Sequence, residues 1–411
     1  MIDLCPEVRR AEVLLGAWHA IRRNAETSQR PATKQRARDF GANLPANLRM
    51  IADRLRKGYK FSKAHGVALS KGAGKTGKRP LVVAPLEDRI VQRAILDVLQ
   101  REARLPGVQR VLNSETSIGG IPGKGVDNAI ELFQRRVEAG DCYVAGSDIS
   151  GFFTRISRPS VIQFLSAEGV APDFLDLVDR ALTVELANAA SMAPEDLKMF
   201  PTGDDGVAQG CPLSALAGNI VLEEFDRDMN SRGITCIRYI DDFILIGRTH
   251  QAVHKAMESA KVRLSTLKMD IYDPAQAPNK AFIGRVDEGH VFLGYRLLPG
   301  VYPPSADAVR RLLSQVRDLI TQGKRSLRRA MGSDTLRPHE RCYAQTLVAI
   351  DHTVRGWRGS FQSSSCPSEF AKIDAAIDRE LHDFRRFFVQ KMTASSSEQR
   401  RRLLRVQLLV D

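Results

Sequence analysis

The tetrapeptide Tyr239-Ile240-Asp241-Asp242 stands between two apolar, strand-forming runs, CIRYI before it and FILIG after it. This spacing predicts a hairpin with adjacent carboxylates at its tip. Burying an unpaired carboxylate costs several kcal/mol, so such a pair needs either solvent or a bound cation. Asp also favours tight turns for its own reasons, and an Asp-rich turn would explain this segment taken alone. A second acid makes it a candidate site: Asp148 closes the run YVAGSDI (143–149) and precedes Ser-Gly-Phe-Phe, which sets a third carboxylate at a strand end. Three such acids could hold two Mg²⁺ about 3.5–4 Å apart, the arrangement that stabilises the attacking and leaving oxygens of phosphoryl transfer.

The elements that must position these acids are legible at low resolution. Helices are expected at Val8–Arg23, Pro45–Lys57, Glu87–Arg101 and Val126–Glu138, with a polar basic stretch between the first two. LVVAP (81–85) reads as a strand, and IGGIPGKG (118–125) as a glycine-rich loop placed to hold something, its following helix N-terminus suited to phosphate. Strand-like runs at 143–149 and 236–247 alternate with helical runs at Pro159–Glu168, Pro172–Ala190 and Ser214–Ser231, which means an α+β domain. A separate helical module begins near Ser305, with polar breaks at Gly332–Asp334 and Ser363–Ser368.

Composition narrows the partner. The 411 residues are 43% hydrophobic and 27% charged, which excludes disordered and fibrous classes and allows two or three domains. Sixty-one basic residues against 48 acidic ones leave a net charge of +13, favouring a polyanion, with nucleic acid ahead of an anionic membrane. No run reaches the ~18–20 apolar residues of a spanning helix. The N-terminus MIDLCPEVRR lacks a basic-then-apolar signal, so a cytoplasmic protein without a membrane partner is expected. The six cysteines are dispersed without a C-x-x-C pair, which argues for reduced packing residues over a zinc or redox site.

Ordered blocks carry a family resemblance: Asp148-Ile-Ser-Gly-Phe-Phe153, Gly206-Val-Ala-Gln-Gly-Cys-Pro-Leu-Ser214, Tyr239-Ile-Asp-Asp242, Asn279-Lys280 and Phe292-Leu-Gly-Tyr295, preceded by Lys78-Arg-Pro-Leu, Asp88-Arg-Ile-Val-Gln92 and Ser117–Gly125. In this the chain resembles bacterial reverse transcriptases of the group II intron, retron and defence-associated kind, most of all the last. The resemblance implies an α+β right-hand polymerase: an N-terminal helical extension (1–70), fingers (71–140), a palm of antiparallel sheet and helices (141–300) and a helical thumb (305–411). It implies that Asp148, Asp241, Asp242 and the Ile149 carbonyl hold two Mg²⁺, with Mn²⁺ a possible substitute. Lys78 and Arg79 would meet the triphosphate, as a guanidinium fork suits phosphate oxygens. Gln209 and Gly210 would line the nucleotide pocket, Phe153 would guard the sugar, and Lys280 would give a proton to pyrophosphate. Phe292, Gly294 and Tyr295 correspond to the primer grip, and Lys124 takes over the work of an arginine absent from its block. The partners implied are an associated structured RNA template, dNTPs and a DNA product, in anti-phage defence.

Val354-Arg-Gly-Trp357 and Phe361 are similar to the thumb of the intron enzymes, and Arg310, Arg317, Lys324 and Arg328 recur on one helical face, as duplex backbone contact would require. Lys71, Lys75, Lys78 and Arg79 add positive charge to the fingers loop. No zinc-bearing extension is expected after the thumb-like segment, an expectation that argues against self-sufficient intron mobility. Two other readings keep the fold: template-independent or protein-primed synthesis, and a non-catalytic RNA scaffold, the latter opposed by three like charges that would repel RNA. Gly74-Lys-Thr76 lacks the first P-loop glycine, and HQAVH (250–254) lacks the metalloprotease glutamate. Trp18 and Trp357 read as packing residues, and Arg400–Arg402 as either an RNA contact or a solvated face.

Overall fold

The computed structural model describes every residue except 29, 71–76, 202, 232, 333–340 and 407–411, so Lys71, Lys75 and Gly74–Thr76 lie outside the described residues. The chain divides into two compact units, Met1–Leu132 with Tyr143–Ile283, and Phe133–Cys142 with Gly284–Asp411.

In the first unit, β1 (His65–Ser70) and β2 (Lys78–Val83) form an antiparallel ribbon that sets Leu69 opposite Arg79. The main sheet comprises β3 (Tyr143–Ser150), β4 (Thr235–Tyr239), β5 (Asp242–Gly247) and β6 (Asp270–Ile271) in the order β4-β5-β3-β6, and β7 (Ala281–Arg285) also pairs with β3. Every residue of β5 after Asp242 is buried, which explains its unbroken apolar run where a one-sided strand would alternate. The His250–Thr266 helix packs on β3 and β5 through Val253, Met257, Ala260 and Leu264, spaced one helical turn apart. The Leu86–Arg101 helix buries Ile90, Val91, Ala94, Ile95 and Leu99 and lies against the Ala11–Glu26 helix, whose Trp18 is a core residue as expected.

The structure corrects three expectations. The polar stretch after residue 24 contains a helix, Pro31–Ala42, anchored by Ala37 and by Phe40, whose ring lies 4.9 Å from that of Trp18. Two apolar anchors in twelve residues give too weak a period to read, and tertiary packing supplies the rest. The helix expected at Ser214–Ser231 is two, Ser214–Val221 and Glu223–Asn230, jointed at the fully buried Leu222. The one starting at Pro172 stops at Leu182, because Thr183 takes an extended conformation.

In the second unit, β8 (Val291–Phe292) and β9 (Tyr295–Arg296) form a tight hairpin through Leu293 and Gly294, both at positive φ (50° and 85°), as a two-residue loop demands. The helices Ala306–Ala330, Tyr343–Gly359, Pro367–Thr393 and Ser397–Leu404 follow. Ser305 caps the first by accepting from the Ala308 N–H. Leu312, Val316, Ile320 and Leu327 meet Ile350, Ile373, Ile377 and Phe384 in a core of their own. The α+β class is as expected, and the helices from Ala306 onward share their compact unit with Phe133–Cys142 and the segment that begins at Gly284. Among the described residues no helix is long and apolar enough to cross a membrane.

Candidate active site

The sheet register assembles the acids. In the β3–β5 ladder Asp148 is the direct partner of Asp242. The ladder then runs on into the turn, where the Ile149 N–H donates to the Asp241 carbonyl at 2.7 Å. Tyr239 pairs with Asp242 across β4 and β5, so Ile240 and Asp241 form a two-residue loop. Ile240 sits at φ 61°, a backbone region that a β-branched side chain rarely enters, so the turn carrying the acids is held in a strained state.

Burial first, and then the charge of Asp148, push the Asp241 carboxyl above the usual carboxylate range, while Arg79 and Lys280 pull it back. A divalent cation would relieve this conflict, so the donor set, hard carboxylate oxygens under mutual repulsion, fits a hard divalent ion. Among the described residues no three acidic, imidazole or thiol groups already form a closed ligand cluster. The structure therefore supplies the register of the three acids, with no preformed cage.

Basic groups adjoin the acids. The Lys280 carbonyl accepts from the Asp148 N–H at 3.3 Å, and its Nζ lies 3.9 Å from Asp148 Oδ2. Tyr272, which the sequence reading missed, places its ring 3.7 Å under that Nζ, and its neighbours Lys280 and Ser150 hold its phenol below the usual value. Gln209 and Gly210 come alongside β2: the Gln209 carbonyl accepts from the Val82 N–H at 3.0 Å. At Gly210 (φ 115°) a Cβ would fall 3.0 Å from the Val82 carbonyl, so this close approach requires glycine. Lys78 reaches Asp196 with its Nζ 2.7 and 2.8 Å from the two carboxylate oxygens, a partner 118 residues away that no local pattern announced. Phe152 is buried, as expected, and Phe153 is half-buried with its ring 5.3 Å from that of Phe152.

The glycine-rich loop holds the turn itself. A Cβ on Gly119 would stand 2.4 Å from the Ile240 nitrogen. Lys124 directs its ammonium to the Ser114 carbonyl, and burial lowers its pKa. In this structure it closes the end of the Pro106–Asn113 helix.

The second unit treats its predicted residues unevenly. Phe292 and Tyr295 are buried at 1% and 0% exposure, so their rings pack, and the turn at Leu293–Gly294 is what reaches the surface. Tyr295 donates its hydroxyl to the Ser360 carbonyl at 3.1 Å and packs on Phe361, which in turn packs on Trp357, so two sequence blocks meet here. Along the Ala306–Ala330 helix, Arg310 pairs with Asp307 of its own turn and Arg317 with Glu380 at 2.6 Å. Lys324 and Arg328 converge with Lys391 on the Phe387 ring, at 5.6, 5.3 and 5.7 Å. Neither Lys391 nor Phe387 was foreseen. Arg402 is engaged by Glu398 of its own helix and the Gly332 carbonyl. His250 and His254 stand exposed on the first turns of their helix, which Thr249 caps, as expected.

An antiparallel sheet with acids at adjoining strand ends, backed by helices and flanked by basic side chains, defines a polymerase-type nucleotidyltransferase fold. A family model described as reverse transcriptase (RNA-dependent DNA polymerase) matches residues 69–296. The chain belongs to the reverse transcriptase family. It is 26% identical over 299 residues to Protein YkfC of Escherichia coli K12, covering 62% of this chain and 72% of that protein. It is 25% identical over 168 residues to an uncharacterized 91 kDa protein in the cob intron of Schizosaccharomyces pombe, covering 41% of this chain and 19% of that protein. Among solved structures, a partial Cas6-RT-Cas1–Cas2 complex aligns with TM-score 0.36 and 22% identity over 64% of this chain and 43% of that one.

Proposed function

We propose that this protein is an RNA-directed DNA polymerase that copies an associated structured RNA, with a role in defence against phage. The observation that carries the chemistry is the β3–β5 register, which sets Asp148 against Asp242 and the Asp241 turn alongside. Asp148, Asp241, Asp242 and the Ile149 carbonyl would hold two Mg²⁺, with Mn²⁺ a substitute; when bound, these ions stabilise the attacking and leaving oxygens of nucleotidyl transfer. Arg79 binds the triphosphate with a planar fork, and Lys78 joins it by leaving Asp196. Gln209 and Gly210 line the nucleotide pocket. Phe153 fills the space a 2′-hydroxyl would need and offers it no hydrogen bond. Lys280 holds on Nζ the proton that passes to pyrophosphate, with Tyr272 orienting it. On this reading the unit containing β1–β6 is fingers and palm, and the helices from Ala306 onward are a thumb. The basic cluster around Phe387 binds nucleic-acid backbone, in keeping with the +13 charge.

Primer extension by the full-length protein on an RNA template with dNTPs and Mg²⁺ tests the reading, together with sequencing of the RNA and DNA that copurify. Template-complementary DNA supports it. Products of template-independent sequence, DNA joined to a protein side chain, or bound RNA without synthesis would each replace it with one of the other uses of the fold.

A further inference from the structure

The Arg238 guanidinium, two residues before the acids' turn, is entirely buried, and all of its N–H groups are used. Nε and Nη2 donate to the two oxygens of Asp226 at 2.7 and 2.5 Å. Nη2 also donates to Ser117 Oγ at 2.7 Å, and Nη1 to Asn219 Oδ1 at 3.0 Å and to the Ile240 carbonyl at 2.8 Å. The backbone is fixed as well: the Arg238 N–H donates to the Thr116 carbonyl at 2.9 Å, and its carbonyl accepts from the Ile118 N–H at 2.8 Å. Asn219 closes the circuit by donating to the Gly119 carbonyl at 3.0 Å.

A buried ion pair is by itself weak evidence of stability, because desolvation cancels most of its attraction. The bond to Ile240 is different in kind. Ile240 is the residue at positive φ, and its carbonyl belongs to the peptide that leads into Asp241. A strained turn keeps one geometry only where its surroundings over-determine it. Here the guanidinium grips the turn by its carbonyl, and Gly119 abuts it at the Ile240 nitrogen. We propose that Arg238 is a positioning residue: locked by Asp226, Asn219 and Ser117, it fixes the Ile240–Asp241 turn and thereby the placement of Asp241 and Asp242 against Asp148. Lysine cannot replace it, because one ammonium cannot reach Asp226, Ser117, Asn219 and Ile240 at once.

The proposal rests on the reading of the acids as metal carboxylates, and the experiment separates the two. In the full-length protein, the double variant Arg238→Met with Asp226→Leu removes both charges together, a change buried pairs often tolerate. Gly119→Ala instead presses on the turn from its other side and leaves the pair intact. The readouts are kcat and KM for a dNTP on a primed RNA template, normalised to folded protein, and Mn²⁺ affinity of the protein alone by electron paramagnetic resonance. A misplaced acid should lower kcat by about tenfold or more and weaken Mn²⁺ binding, with KM within about threefold of wild type. A folded double variant with wild-type kcat and Mn²⁺ affinity overturns the proposal; should that variant not fold, the same result for Gly119→Ala does so. Asp241→Ala is the control. Undiminished Mn²⁺ binding there sinks the reading of the acids, whereas loss there with wild-type behaviour in the other variants sinks the Arg238 proposal alone.

Discussion

Charged residues that the sequence marks by their spacing meet opposite fates at the tip of the β4–β5 hairpin and along the Ala306–Ala330 helix. At the hairpin the ladder pairs Asp148 with Asp242 and ties Ile149 to Asp241, and the acids come together as expected. On the helix, four cations chosen for sharing a face are divided: Arg310 and Arg317 go to Asp307 and Glu380, while Lys324 and Arg328 gather around Phe387. Strand pairing fixes a partner residue by residue, since a slip of one turns every side chain to the other face. Helical periodicity fixes only a direction, and what stands opposite is decided by another helix far along the chain.

The largest effect belongs to the hairpin. Asp241→Ala or Asp242→Ala should lower nucleotide incorporation by several orders of magnitude on a primed RNA template, without unfolding the protein. A variant with full activity would dissolve the contrast between the two regions. Stability should move the other way. Because burial and Asp148 raise the Asp241 pKa, the native state holds this proton more tightly than the unfolded chain does. Its contribution is therefore most favourable below the ordinary carboxylate value of about 3.9 and is lost as pH rises from there through the raised native value. In EDTA, Asp241→Asn should melt above wild type at neutral pH, with the gap closing as pH falls toward about 4. Mg²⁺ should narrow it at neutral pH by stabilising the wild type. A gap that is independent of pH would mean the acid is not under electrostatic stress.

Next in size is the sugar. Phe153→Val should raise the ratio of ribonucleotide to deoxyribonucleotide kcat/KM about tenfold or more, as a relieved clash and a lost unpaired hydroxyl are worth ~1–3 kcal/mol. An unchanged ratio in an active variant would move the gate to another side chain.

What was legible follows the same physics. Asp148, Asp241 and Asp242 could be read because acids at the ends of apolar runs break a pattern. Arg238 could not: between Ile237 and Tyr239 it looks like an outward strand position, and only the folded chain brings Asp226, Asn219 and Ser117 around it. Tyr272 follows a strand of two residues, too short to show alternation. The loop at 118–125 reads as one placed to hold something, and in the structure its Gly119 abuts the protein's own Ile240 turn. The helix that follows Ser305 is legible because strand-like runs give way to helical ones after Gly294, and the Pro31–Ala42 helix is hidden by its polarity.

A smaller effect is expected at Tyr272. Losing its ring under Lys280 removes a cation–π contact worth ~0.5–1 kcal/mol, so Tyr272→Leu should slow turnover about two- to fivefold. Tyr272→Phe should keep the ring's contribution and change only the alkaline limb of the pH–rate profile, where the phenol, held below its usual value, ionises. Identical profiles for wild type and both variants would remove Tyr272 from the site.

The smallest effects separate the two halves of the helix face. If the cluster around Phe387 meets phosphates, Lys324→Gln and Arg328→Gln should each weaken RNA binding and reduce the slope of log K against log salt by up to ~0.7–0.9, one released counterion. Arg317 makes a different kind of contact. Its partner Glu380 lies on the Pro367–Thr393 helix, and the pair is open to solvent on the arginine side, with 60% of Arg317 and 28% of Glu380 exposed. Such a pair contributes ~0–1 kcal/mol, so Arg317→Gln should lower the melting temperature by a few degrees at most and leave the salt slope unchanged. The same charge is removed in all three variants, so a general loss of positive field would flatten the slope equally in each. A slope that changes only for Lys324 and Arg328 would show that position on this face, and not its net charge, decides which cations touch nucleic acid; a slope that changes most for Arg317 would show that the ion pair opens on binding.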